Sequence, residues 1–142
     1  MSTNFLKIHS YASASSWQTL PESIHGFSQL TDDKNQLLLS LAFSTHRDLI
    51  TAIGYLAAPQ CPTELLACTS VLCQLSLKQP VLSAQLLGPT SIAVLLSDDS
   101  VLDDSTYYFA VLATLSLKNA ISSYAQYRKA DYHAWKSGQI SP

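Results

Sequence analysis

Three thiols dominate the chemistry this chain could carry. Cys61, Cys68 and Cys73 all fall within PQCPTELLACTSVLCQLSLKQP, residues 59 to 80. Cys61 stands between Pro59 and Pro62 at a junction where an extended segment gives way to a helical pattern. The unpaired N–H groups and positive dipole end of a helix start favour thiolate, the form needed for metal binding and sulfur transfer. The alternative for Cys61 is a small buried hydrophobe. Cys68 and Cys73 lie seven and twelve residues further on, form no C-x-x-C and no i,i+3 or i,i+4 pair of cysteines, and read as core packing.

Other titratable groups are dispersed. His9, His25, His46 and His133 belong to no metalloprotease-type spacing. Asp98, Asp99, Asp103 and Asp104 lack the spacing of a calcium loop, and Asp103 and Asp104 fit better as caps of the helix that follows. With four glycines there is no phosphate loop, and there is no nucleophile elbow, so an enzyme is not expected. The tail YAQYRKADYHAW gathers Tyr124, Tyr127, Tyr132 and Trp135 around Arg128 and Lys129, a composition suited either to an interface or to closing the core at a helix end.

The elements that must position these groups follow from periodicity. QLLLSLAF (36 to 43) alternates, with Leu37, Leu39, Leu41 and Phe43 on one face; LITAIGYLA (49 to 57) alternates likewise, and STHRD joins them as a hairpin connection. A third strand is expected near Gly26 to Leu30. Pro62 suits the first position of a helix that runs to KQP, with Glu64 in its first turn. Short helices are expected over Val81 to Leu87 and Ser91 to Leu96. A long last helix from Asp104 or Ser105 to at least Ala130 is expected to bury Tyr108, Val111, Leu112, Leu115 and Ile121. Strands first and helices afterwards predict an α+β domain of about three antiparallel strands with helices on one face, spanning 1 to 142.

Bulk composition bounds the rest. The 142 residues suffice for a core without disulfides, and an odd cysteine count predicts reduced thiols. No basic-then-apolar leader is present and no apolar run nears the roughly 18 residues of a membrane span, so a cytoplasmic protein is expected. Eight Lys plus Arg against ten Asp plus Glu argue against a nucleic-acid partner. Only 13% of residues are charged, against about 25% in an ordinary domain. Such a surface resists association poorly, and contact with another copy or a partner is expected.

Taken in order, these elements resemble the NifU/IscU-type scaffold family of iron-sulfur cluster assembly. LLLSLAF and LITAIGYLA look like its strands, Cys61 like its second cysteine, ACTS (67 to 70) like its A-S-x-S segment, SLKQPVLSA like its Lys-Gly-Lys-like turn, and LATLSLKNAISSY (112 to 124) like its final helix. LPESIHGF (20 to 27) is similar to its N-terminal N-P-R-N-x-G segment. The resemblance implies an iron-sulfur cluster or iron as ligand, Cys61 and Asp33 as candidate ligands, and a cysteine desulfurase or other assembly protein as partner. The departures are equally specific: the family's first cysteine falls near Asp32 or Asp33, without C-G-D, and its third, with the adjacent His, falls near Tyr108 and Phe109. The resemblance therefore leaves two functions open, a scaffold or carrier using Cys61 and an interaction module that has lost its ligands.

Overall fold

A hydrogen-bonded hairpin forms the centre of the fold. In the computed structural model, which describes the backbone of residues 4 to 136 and side chains as far as residue 129, β2 (Leu37–His46) pairs antiparallel with β3 (Leu49–Ala57). The connection is shorter than expected. Ser44, Thr45 and His46 stay in the strand, and only Arg47 and Asp48 turn, both at positive φ (53° and 63°). Two left-handed residues match the right-handed twist of the flanking strands, which a longer loop need not do. β1 (Gly26–Thr31) adds to the other edge of β2, giving the order β1-β2-β3. Beyond β3, the Ile50 N–H donates to Gln79 O and the Lys78 N–H to Ile50 O, which ties the KQP segment to the sheet edge.

The helices stack on one face, as expected for an α+β fold. That face carries Leu39, Leu41, Phe43, Ile53 and Tyr55, all buried. On it lies α2 (Thr63–Ser76), whose buried residues include Leu65, Ala67, Cys68, Thr69, Val71, Leu72 and Cys73, so it is enclosed nearly all round. Pro62 caps this helix from an extended conformation instead of occupying its first turn. α3 (Val81–Ala84) is shorter than its apolar run, and α4 (Pro89–Leu96) starts on Pro89, where a missing N–H costs nothing. α5 (Asp104–Lys136) packs mainly along β1 and α2.

Two features of this packing escape periodicity. An N-terminal helix, α1 (Phe5–Ala12), is capped by the Asn4 side chain, which accepts from the Lys7 N–H at 3.1 Å, and it buries Ile8 and Ala12. The chain then makes a 3-10 turn at Ser15–Trp17 and passes over the opposite face of the sheet at Gly54. The second feature corrects the expected stripe of α5. Tyr108 (58% exposed), Val111 (40%) and Leu115 (47%) face outward, whereas Ala110, Ala113, Leu117, Ala120, Ile121 and Tyr124 are buried. Small residues win the inner face because the helix sits close. The Ser28 hydroxyl donates to Ser116 O at 2.7 Å, and a Cβ on Gly26 would lie 2.8 Å from Ala120 O.

A second buried polar contact joins sheet to helix: the Tyr55 hydroxyl and Ser70 Oγ, 2.8 Å apart. Tyr55→Phe leaves the Ser70 hydroxyl without that partner in the core. The expected result is a loss of about 1–2 kcal/mol in chemical denaturation, with the native fold retained by circular dichroism.

Candidate functional site

Cys61 follows a turn in which its N–H donates to Ala58 O at 3.0 Å, and it immediately precedes the cap of α2. The residue is 9% exposed, and its Sγ is 3.9 Å from Pro62 O. It borders a hollow of about 340 Å³ shared with Gln18, Leu56, Ala57, Pro59 and Leu66. Burial pushes the thiol up to about 11. The residue sits outside the first turn, where the dipole is felt most, and desolvation wins. Of the two readings open to Cys61, the protonated, packed thiol is the one the surroundings favour at neutral pH.

Cys68 and Cys73 are core residues, as their spacing suggests. Burial raises both pKa values; Cys68 reaches about 12, with the Glu64 carboxylate adding to the rise. A reactivity prediction follows. Iodoacetamide at pH 7.5 is expected to alkylate native Cys61 on the order of a hundredfold more slowly than a free thiol, and all three cysteines only after unfolding. Mass spectrometry of labelled peptides checks this; rapid native labelling of Cys61 would contradict it.

The positions that stand where the resembling family has its other ligands converge. Asp32 and Asp33 lie on the β1–β2 turn, which Asp32 organises by accepting the N–H groups of Lys34 and Gln36 at 2.8 and 2.9 Å. Asp33 is exposed. Together with Tyr108 and Phe109 of α5, and with Gln60 and Pro62, these aspartates line a hollow of about 540 Å³. Cys61 lines the other hollow, so its two chain neighbours reach this one while its own side chain does not. Among the described residues no group of three or more His, Cys, Asp or Glu is placed to hold a metal ion. Two carboxylates on one turn, a phenol and a phenyl ring supply no soft donor, and the donor set does not fit an iron-sulfur cluster.

The remaining candidates have structural roles. Nδ1 of His25 accepts the Thr45 N–H at 2.8 Å, and its ring stacks on Tyr127 with centroids 5.1 Å apart. Asp98 accepts from Asn4 and pairs with Lys7 at 3.3 Å, and Asp99 accepts from the Ser97 hydroxyl at 2.7 Å. Tyr124 corrects the interface expectation: it is 6% exposed, packs on Phe43 with centroids 5.7 Å apart, and donates its hydroxyl to Asp48, which also meets Arg128 Nε at 3.5 Å. It closes the core. Tyr127 remains 43% exposed, and Tyr132 and Trp135 lie outside the described side chains. What sequence reasoning missed is the pairing of Gln60 with the start of β2, where the Gln60 amide donates to Leu37 O at 2.9 Å; no local pattern marks so distant a contact.

The fold is that of NifU-like scaffold proteins. Its sequence matches no family model and no curated protein. Among solved structures it is similar to a candidate iron-sulfur cluster assembly scaffold protein for the SUF system from Fervidobacterium islandicum, at TM-score 0.61 and 12% identity over 81% of this chain and 93% of that one. It is also similar to the N-terminal part of a nitrogen-fixing NifU-like protein from Brucella abortus, at TM-score 0.62 and 9% identity over 84% and 92% of the two chains. A third, described only as a hypothetical protein, has TM-score 0.50 and 13% identity over 93% and 96%. At these identities the likeness is one of fold. Among the described residues no helix is long and apolar enough to cross a membrane.

Proposed function

We propose that this chain serves iron-sulfur cluster assembly as a scaffold-fold docking protein that does not hold a cluster with its own residues. The observation that carries the proposal is the hollow at Asp33, Tyr108 and Phe109. Lining it are residues that the resemblance aligns with the family's first and third ligand positions, together with the neighbours of Cys61, yet the side chains are carboxylate, phenol and phenyl, and Cys61 lines a different hollow. Retained architecture with a changed donor set supports a function carried by surface contact. The neighbours' description as assembly scaffolds supports the process in which that contact takes place.

The partner proposed is a cysteine desulfurase or another assembly protein. Titrating the purified full chain into a cysteine desulfurase by isothermal calorimetry tests this. Saturable binding that is unchanged in Cys61→Ser is the expected result; no heat with the desulfurase or with a second purified assembly protein would overturn the docking role. A second reading, a carrier of sulfur or iron at Cys61, draws on the hollow that this residue borders. It requires binding or transfer that disappears in Cys61→Ser.

A further inference from the structure

The outward face of α5 has a pattern that its fold does not use. Asp104, Tyr108, Val111, Leu115, Lys118 and Ser122 are all exposed, and they follow one another at spacings of 4, 3, 4, 3 and 4 residues. That alternation is the spacing of a short coiled-coil seam, with Tyr108, Val111 and Leu115 as its apolar centre. It lies opposite the buried row of Ala110, Ala113, Leu117, Ala120 and Ile121, so the helix is apolar on two sides while the domain covers one. The charges that flank the apolar centre have opposite sign, and neither the Asp104 nor the Lys118 side chain bonds another described residue.

We infer that this face is a self-pairing seam: two copies of the chain pack α5 against α5 antiparallel about Val111, with Asp104 of one copy facing Lys118 of the other. The occupant follows from the order of residues. In an antiparallel pair centred beside Val111, Tyr108 of each copy meets Leu115 of the other, and the two Val111 side chains flank the twofold axis. Asp104 then comes opposite Lys118 at both ends. A parallel pair would set Asp104 beside Asp104 and Lys118 beside Lys118. The pattern is self-complementary in one orientation, as a twofold interface requires. The low charge of the whole chain leaves little elsewhere to oppose the approach. Three large side chains per copy place the contact at the small end of specific interfaces, under about 1,200 Å², so the pair is weak and depends on concentration. The seam shares Tyr108 with the hollow at Asp33, but its test reads self-association and not partner binding, so failure of one reading is distinguishable from failure of the other.

Sedimentation equilibrium on the full chain, from micromolar to millimolar concentration, tests it. The wild type is expected to pass from monomer to dimer. Leu115→Lys, at an exposed position where the fold is indifferent, should weaken association by roughly tenfold or more. Asp104→Lys and Lys118→Asp should each weaken it, and the double exchange Asp104→Lys/Lys118→Asp should restore it. Circular dichroism confirms that each variant is folded, and Lys118→Asp carries the charge test alone if the helix start tolerates Asp104→Lys poorly. A monomer at every concentration, a dimer indifferent to Leu115→Lys, or a double exchange weaker than either single variant would overturn the inference.

Discussion

Gly54→Ala is expected to cost roughly 3 kcal/mol or more, beyond the usual range for overpacking, and Gly54→Val to prevent stable folding. A Cβ at Gly54 would lie 1.9 Å from Thr19 O and 3.0 Å from Trp17 O. Both are backbone atoms, so no side chain can swing aside. The segment after the 3-10 turn must leave the sheet, or β3 must shift against β2, to which it pairs along its whole length. Against a total stability of about 5–15 kcal/mol, that is a large share. Gly88→Ala provides the control: nothing lies within 4 Å of its Cβ position and its φ of −153° is ordinary extended backbone. It should cost about 1 kcal/mol or less, the ordinary penalty of Ala against Gly at a helix N-cap. Thermal and urea unfolding of the two variants give the comparison, and equal costs would contradict the close approach at Gly54.

The second large effect is alkaline destabilisation. Burial holds the Cys68 thiol at about 12 and Cys73 higher still, against an ordinary value of 9.0. In the unfolded chain both thiols ionise as pH rises past that value, while in the native chain both keep their protons. The unfolded state therefore binds fewer protons in this window, and unfolding becomes more favourable with pH. The contribution is intact below about pH 9 and is lost as pH rises toward the native values. Each buried thiol contributes about 1.4 kcal/mol per pH unit, or about 3 kcal/mol per unit for the two together. Cys61, less deeply placed, adds a smaller share, and Tyr55, whose pKa is raised chiefly by burial, adds its own above its ordinary 10.0. Urea midpoints should be flat from pH 7 to 8.5 and fall steeply beyond. The double variant Cys68→Ala/Cys73→Ala, weaker at neutral pH because of the cavities it opens, should show a visibly shallower decline. An unchanged slope would contradict the assignment.

How far the sequence could be read differs from element to element. The hairpin was legible because Leu39, Leu41 and Phe43 alternate with smaller residues, and its turn was read too long because STHRD is polar whether or not it is paired. α5 was legible in extent and misread in orientation. Tyr108, Val111 and Leu115 form the more hydrophobic stripe, but the fold buries the face of Ala110, Ala113 and Ala120, whose backbone at Ser116 and Ala120 comes close to β1. Periodicity reports both faces without saying which one the fold uses. The passage over Gly54 could not be read at all, because it depends on residues 35 positions apart that share no pattern. At the candidate site, the position of Cys61 before α2 followed from the proline spacing. Its protonation did not, because the hollow around it is closed by Gln18, from 43 positions upstream in the chain.

The claim that most needs a direct test is that this scaffold fold lacks a cluster site of its own. Anaerobic reconstitution of the purified full chain with ferrous iron and sulfide, followed by desalting, absorption spectroscopy and iron analysis, supplies it. The account predicts a colourless protein without stoichiometric iron, indistinguishable from Cys61→Ser treated alike. A brown protein with charge-transfer absorption and stoichiometric iron, lost in Cys61→Ser, would contradict it.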